Sequence, residues 1–296
     1  REERTVALGT GEDLRYDFLA VCLGSETADY GIPGVADHGI PLKSVADAER
    51  IREAFLDLGD GDRIVVAGAG LSGVQVAGEL AALGGEMDAN IEVSLVEQEG
   101  SVAPSFPENF QRAVRTALDD GGVTVRTDTT VTEATDGKLR CAETTIDHDA
   151  LVWTGGIRGP DAIDGERPVV RADLRLDERT FVLGDAGRVV DTDGEAVPAS
   201  ASAAIRQAKP AADNLVRLVR SARDGGGPDD FRPRLDGYRF DVPGWIVSVG
   251  DDAVAQIGPT VLRGSAARAM KATVGAGHLG SVGAVKRAVE LAESEL

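Results

Sequence analysis

The stretch RIVVAGAGLSGVQVAGELA, Arg63–Ala81, constrains the fold more than any other part of the chain. A run of apolar β-formers ends at Gly68, and Gly68, Gly70 and Gly73 follow with GxGxxG spacing, ahead of a helical pattern that carries the small Ala77. The first glycine of such a set permits a tight turn. The second lets the backbone approach a pyrophosphate, and the third lets helix pack on strand. Unpaired amides at the start of the helix then face the phosphates. The next strand, IEVSLVE, ends at Glu97, 24 residues after Gly73. A carboxylate there accepts hydrogen bonds from an adenosine ribose and repels a 2′-phosphate, which favours NAD(H) over NADP(H). The alternative is that Glu97 is a solvated residue at a strand end.

With 296 residues the chain can hold two or three domains. Its formal charge is −19, from 50 acidic and 31 basic residues, and only five of the latter are lysines. Nucleic acid is therefore excluded as an expected partner, because its phosphates would be repelled. Acidic residues in excess, with Arg chosen over Lys, match proteins of a salt-loving cytoplasm, where ionic strength screens self-repulsion. An ordinary acidic protein from a GC-rich genome has a similar composition. Cys22 and Cys141 lie far apart with no CxxC or metal spacing, and are expected to be small buried hydrophobes. His38, His148 and His278 show no metal spacing either, so no metal is expected; His148 reads as structural and His278 as a candidate for lining an acceptor site. No run reaches a spanning helix and no signal peptide opens the chain, so a cytoplasmic protein, peripheral at most on the inner face of the membrane, is expected.

Val6 to Leu8 and Phe18 to Leu23 read as two strands about a GTGED turn, the second ending at Gly24; the Gly/Pro-rich residues 30–44 read as a loop. Apolar residues at Val45, Ala48, Ile51, Phe55 and Leu58 then predict a helix. Strands over 64–68 and 91–97 alternate with helices over 71–83 and 107–120, and short strands follow near 123–126, 130–134, 138–141, 144–147 and 150–153. This order implies parallel strands with covering helices and an antiparallel meander. TFVLGDAG is a further strand whose Asp185 either holds a sugar hydroxyl or caps a helix, and a long helix follows from about Ser200. Beyond the break DGGGPDD at 224–230, a hairpin and two helical stretches form a segment of different character.

Taken in order, YDFLAVCLGS, the GxGxxG with Glu97, LVWTGGIRG, FVLGDAG and PASASAAIRQAKPAADNL resemble the flavin-dependent pyridine nucleotide oxidoreductases, and among them the type II NADH dehydrogenases, single-chain NADH:quinone oxidoreductases. The resemblance runs from about Tyr16 to Asn214. It implies an α/β fold of two interleaved Rossmann-like dinucleotide-binding domains, three-layered with a β-meander, plus a small C-terminal α+β domain. The FAD-binding domain would comprise 1–44 and 156–225, the NAD(H)-binding domain 45–155, and the C-terminal domain 226–296. Such an arrangement explains why a dinucleotide motif starts more than sixty residues into the chain. The family's first strand–GxGxxG–helix, which grips FAD, is not in this sequence. The expectation is a longer parent chain rather than loss of the flavin, because the flavin-facing segments are kept.

By position, the resemblance implies that NADH binds at Gly68, Gly70, Gly73 and Glu97. It implies that Gly24, Gly184 and Asp185 bind FAD, that Thr154, Gly155 and Gly156 lie near the isoalloxazine, and that a helix beginning at Ala199 points its N-terminus at the flavin. Hydride would pass to FAD and electrons on to a quinone or another small acceptor. Two positions depart from the pattern. Gln75 stands where the family often has a titratable Glu, and Ser202 where its quinone-site motif has Gln. These departures keep open a non-catalytic NAD(H)-binding relative, and a flavoenzyme that reduces ferredoxin or oxygen. The C-terminal stripe of Val282, Val285, Val289 and Ala292 beside Lys286 and Arg287 would touch a membrane, pack within the protein or join a homodimer. Trp153 and Trp245 are expected to fill interdomain contacts.

Overall fold

The computed structural model describes residues 3–223, 233–281 and 287. The break at 224–230 and the stripe of Val282, Val285, Val289 and Ala292 lie outside the described residues, as does the side chain of His278. The chain forms two compact units, each made of two stretches: Arg1–Glu26 with Ile157–Val242, and Thr27–Gly156 with Pro243–Leu296.

The second unit is built on five parallel strands, β1 (Ile40–Pro41), β2 (Arg63–Ala67), β3 (Glu92–Val96), β4 (Thr124–Arg126) and β5 (Ala150–Trp153), in the order β1-β5-β2-β3-β4. Helices α1 (Val45–Leu56), α2 (Leu71–Glu86) and α3 (Glu108–Asp120) connect β1 to β2, β2 to β3 and β3 to β4. Side chains alternate across the pleat. Ile64, Val66, Leu95 and Val152 meet Phe55, Val74, Phe110 and Leu118 on the helical side. Val65, Ala67, Leu151 and Trp153 meet Ala134, Leu139 and Ile146 on the other. The latter three belong to an antiparallel sheet of Val131–Thr135, Lys138–Cys141 and Thr145–Asp147, so the unit has three layers. Each large apolar side chain buried in this way contributes roughly 1.5–3 kcal/mol.

The expected loop at 30–44 contains a helical turn, Val35–His38, and the strand β1. Composition hid β1 because Pro41 cannot donate to a ladder, yet an edge strand needs no donor on its open side. α1 starts with a capping box, in which Ser44 Oγ accepts from Asp47 N–H at 3.1 Å and Asp47 Oδ2 accepts from Ser44 N–H at 2.9 Å. β5, read as the end of the meander, instead returns to the parallel sheet between β1 and β2.

Three antiparallel strands, Gly244–Val249, Asp252–Ile257 and Thr260–Arg263, precede the helix Ser265–Ser281. Val247, Val249 and Val254 join the helical-side core. Trp245 meets Phe106 edge-on at 5.0 Å, and Trp153 Nε1 donates to Ala28 O at 2.8 Å, so both tryptophans make contacts inside this unit. His148 is buried with neither ring nitrogen hydrogen-bonded among the described residues, and burial pushes its pKa down, toward the neutral form.

In the first unit Leu19–Val21 pairs in parallel with Thr180–Val182, and Val169–Val170 with Arg188–Val189. The expected two N-terminal strands are three: Thr5–Ala7 and Asp13–Arg15 form a hairpin about GTGED, and Leu19–Val21 stops three residues before Gly24. Asp13–Arg15 is exposed throughout, and its single apolar residue, Leu14, makes too short a pattern to reveal a strand. The helix Ala201–Arg223 covers this unit, and its buried Asn214 accepts from Asp236 N–H at 2.9 Å and donates to Asp236 O at 2.8 Å. Three backbone amides, of Phe240, Glu195 and Asp193, hold the buried Asp191 carboxyl below the usual carboxylate range. The cysteines are not buried as expected: Cys22 is exposed, one residue past the paired stretch of its strand, and Cys141 is half-buried.

Candidate functional site

β2 delivers the chain to Gly68, whose φ of +103° is open to glycine and strained for any other residue. Its amide donates to Val96 O at 2.8 Å, tying the turn to β3. A Cβ on Gly68 would stand 2.7 Å from Gly155 Cα, so the turns after β2 and β5 touch backbone to backbone. A Cβ on Gly73 would stand 1.8 Å from Gly68 O, which explains the third glycine by helix-on-turn packing. Thr154 Oγ1 lies 2.8 Å from that same Gly68 carbonyl and fastens it to the end of β5.

Gly70 differs from both. Its backbone is extended, with φ −65° and ψ 177°, and a Cβ there would meet nothing within 4 Å. Neither conformation nor packing inside the protein demands glycine at this position. Gly70 is the N-cap of α2, a position that glycine suits, and its open surroundings leave the helix start, which no side chain caps, accessible from outside.

Glu97, at the end of β3, is 7% exposed. Its Oε2 accepts from Ala69 N–H at 2.6 Å and its Oε1 from Glu99 N–H at 3.0 Å, so the carboxylate braces the glycine turn. Each oxygen keeps a second acceptor position. Glu97 also lines a cleft of about 330 Å³ together with Gly68, Gly155, Trp153 and Tyr30. The cleft opens at the carboxyl ends of β2, β3 and β5, where the strand order reverses, which is where open α/β sheets bind ligands. Among the sequence candidates, Gly68, Glu97 and Gly155 thus meet around one space. Gly156 lies beneath Tyr30, and Gln75 is exposed on α2 outside the cleft lining.

The remaining candidates belong to the first unit. Gly24 is left-handed, φ +70°, with open space where a Cβ would stand. Gly184, φ +61°, donates its amide to Oε1 of the buried Gln207 at 2.7 Å, while Arg167 donates to Asp185 O at 2.6 Å and to Gly187 O at 2.9 Å. With its backbone held from both sides, the Asp185 side chain receives no hydrogen bond among the described residues and caps no helix. The long helix begins at Ala201 rather than Ala199: Ser200 Oγ accepts from Ala203 N–H at 3.2 Å and takes the capping position, leaving Ala199 exposed before it. Ser202 lies in the first turn, its Oγ 3.4 Å from Arg206 Nε. No group of side chains that could hold a metal ion is found among the described residues.

In the sequence Thr154 is reached through the resemblance alone, and neither Arg167 nor the bracing role of Gln207 is marked by a motif. Gln207 is buried in an otherwise exposed RQAK stretch, a contrast that only the fold reveals.

The model of the family described as pyridine nucleotide-disulphide oxidoreductase matches residues 1–208. A type II NADH:quinone oxidoreductase of Haemophilus influenzae is 30% identical over 281 residues, 80% of this chain and 61% of that protein. A demethylphylloquinone reductase of Synechocystis sp. is 30% identical over 222 residues, 69% of this chain and 54% of that protein. The chain therefore spans between half and two thirds of the length of these two relatives. Among solved structures, NDH2 from Plasmodium falciparum in complex with NADH superposes with a TM-score of 0.79 at 14% identity, covering 98% of this chain and 80% of that one. A ferredoxin reductase from Rhodopseudomonas palustris gives 0.67 at 20% identity, covering 87% and 62%. At these identities the likeness concerns the fold.

Proposed function

The chain belongs to the pyridine nucleotide-disulphide oxidoreductase family, and from that premise we propose that it acts as a flavin-dependent NADH dehydrogenase that delivers electrons to a quinone-type acceptor. The observation that carries the NADH half is the cleft at the strand-order reversal that Gly68 and Glu97 line, with the open, uncapped start of α2 at Gly70 two residues past Gly68. The first amides of α2 would face the pyrophosphate. Glu97 would accept from the ribose with its free lone pairs and repel a 2′-phosphate, which selects NADH over NADPH.

The other unit would hold FAD. Its residues fit: Gly24 leaves room for close approach, and the Asp185 carboxylate, free of internal donors on a loop pinned by Arg167 and Gln207, is an acceptor for flavin-chain hydroxyls. Bound FAD would supply the two-electron chemistry, accepting hydride and passing electrons on. The chain's own part is alignment and exclusion of water, with no acid or base needed for hydride movement. Gln75 cannot titrate, and Ser202 offers a hydroxyl where the family's quinone motif has an amide. The relatives from Haemophilus influenzae and Synechocystis sp., a type II NADH:quinone oxidoreductase and a demethylphylloquinone reductase, support a quinone as acceptor. The acid-rich composition supports an origin at high ionic strength, and peripheral membrane contact or homodimerisation through the C-terminal segment forms part of the same proposal. No helix among the described residues is long and apolar enough to cross a membrane.

Gln75 and Ser202 favour one competing reading, a relative that binds NAD(H) without turnover. Visible absorbance and NADH oxidation against quinones, ferredoxin and oxygen, on protein expressed with whatever coding sequence flanks it, decide between the two. A yellow protein reducing quinones is expected. A colourless protein that binds NADH without oxidising it would leave the competing reading standing, and faster turnover with ferredoxin or oxygen would remove the quinone.

A further inference from the structure

One wall of the cleft is not explained by the glycine motif. Tyr30 lies on its rim with φ +52°, in the left-handed region that a bulky aromatic residue occupies only at a cost. The residue is nevertheless 67% exposed, so burial does not offset that strain. The surrounding chain enforces the placement. Ala28 N–H donates to Gly156 O at 3.1 Å, Trp153 Nε1 donates back to Ala28 O at 2.8 Å, and Asp29 Oδ1 accepts from Gly31 N–H at 2.9 Å. The ring rests on Gly156, where a Cβ would fall 2.1 Å from Tyr30 Oη. Gly156 is therefore glycine because of Tyr30, and the ring is fixed facing a space that Gly68, Glu97 and Gly155 also line.

We propose that Tyr30 is the aromatic contact residue of this cleft, packing its ring against bound NADH. The assignment rests on the dinucleotide reading given above. NADH offers two flat heteroaromatic rings, and a rigid aromatic side chain with few rotatable bonds makes such contacts at low entropic cost. An exposed tyrosine by itself calls for no explanation. A strained one, two residues from an Ala28 tied by hydrogen bonds to Gly156 and Trp153 and with its ring pressed onto a glycine, does.

The test is calorimetric titration of NADH into the unsubstituted chain, Tyr30→Phe and Tyr30→Asn, with a thermal melt of each. Asn tolerates the left-handed backbone, so the second variant removes the ring while keeping the turn. Tyr30→Phe should bind within about twofold of the parent, and Tyr30→Asn should bind roughly three- to tenfold more weakly with its melting temperature kept. Equal affinity in Tyr30→Asn overturns the assignment. So does a weakening that comes with a fallen melting temperature in Tyr30→Asn and is shared by Tyr30→Phe, since that pattern belongs to packing. Failure of the unsubstituted chain to bind NADH would overturn the dinucleotide reading itself, and is told apart because it needs no variant.

Discussion

Gly70 and Gly73 stand three residues apart in one motif, yet the protein needs them for different reasons. Gly73 is closed in by Gly68 O and by Thr154 Oγ1, at 1.8 Å and 2.7 Å from where its Cβ would be, so even Gly73→Ala must displace backbone. That substitution should lower stability by about 1–3 kcal/mol in urea denaturation, the usual cost of overpacking. A Cβ at Gly70 meets nothing within 4 Å and the φ there suits any residue, so Gly70→Val should cost the fold about 1 kcal/mol or less, chiefly through poorer capping. NADH affinity should nevertheless fall at least tenfold, roughly 1.4 kcal/mol. Unchanged affinity in Gly70→Val, measured by calorimetry, would remove the pyrophosphate from this turn. The motif glycines and Glu97 were legible because their spacing is local. Tyr30 was not, since its partners Gly155 and Gly156 lie more than 120 residues away in the chain, and the second task of Glu97, bracing the Ala69 amide, needs a fold to be seen.

At the scale of elements, the three-layer unit was legible where periodicity is strong. α2 and α3 run Leu71–Glu86 and Glu108–Asp120 against expected ranges of 71–83 and 107–120, and β2 and β3 lie within a residue of theirs. What escaped were short pieces whose stability is wholly tertiary, such as β1 and Val35–His38. The packing of the Gly244–Val249 strand on α2 escaped as well, and Gly78 is its key. Helix propensity alone says that Gly78→Ala should stabilise α2 by about 1 kcal/mol. Packing opposes it, because the new Cβ would sit 2.6 Å from Gly250 N and 2.8 Å from Val249 backbone, atoms that cannot rotate away. The contact should win, giving net destabilisation of about 1–3 kcal/mol. Gly85 in the same helix has nothing within 4 Å, so Gly85→Ala should gain up to about 1 kcal/mol. Opposite signs in paired thermal melts would confirm that the strand, rather than the helix, sets the requirement; a stabilised Gly78→Ala would refute it.

For the molecule as a whole, charge decides how stability responds to salt, and two effects compete. Ion pairs such as Arg63–Glu92 and Arg263–Asp120, with N···O separations of 2.6 Å and 2.7 Å, lose attraction as ionic strength rises. Exposed pairs of this kind contribute only about 0–1 kcal/mol each. Against them stands the mutual repulsion of a chain with 50 acidic and 31 basic residues, which is spread over every unpaired carboxylate and is relieved when the screening length falls. That length drops from about 10 Å at 0.1 M to about 3 Å at 1 M salt, shorter than most spacings between like surface charges and longer than a hydrogen-bonded pair. Screening therefore removes more repulsion than attraction, and the melting temperature should rise between about 0.1 M and 1 M potassium chloride. Sucrose raised to comparable osmotic strength separates screening from exclusion effects, because it should stabilise without the steep rise at low concentration that screening produces. A melting temperature that falls with potassium chloride would show that the ion pairs dominate, and would remove high ionic strength from the proposed setting of this protein.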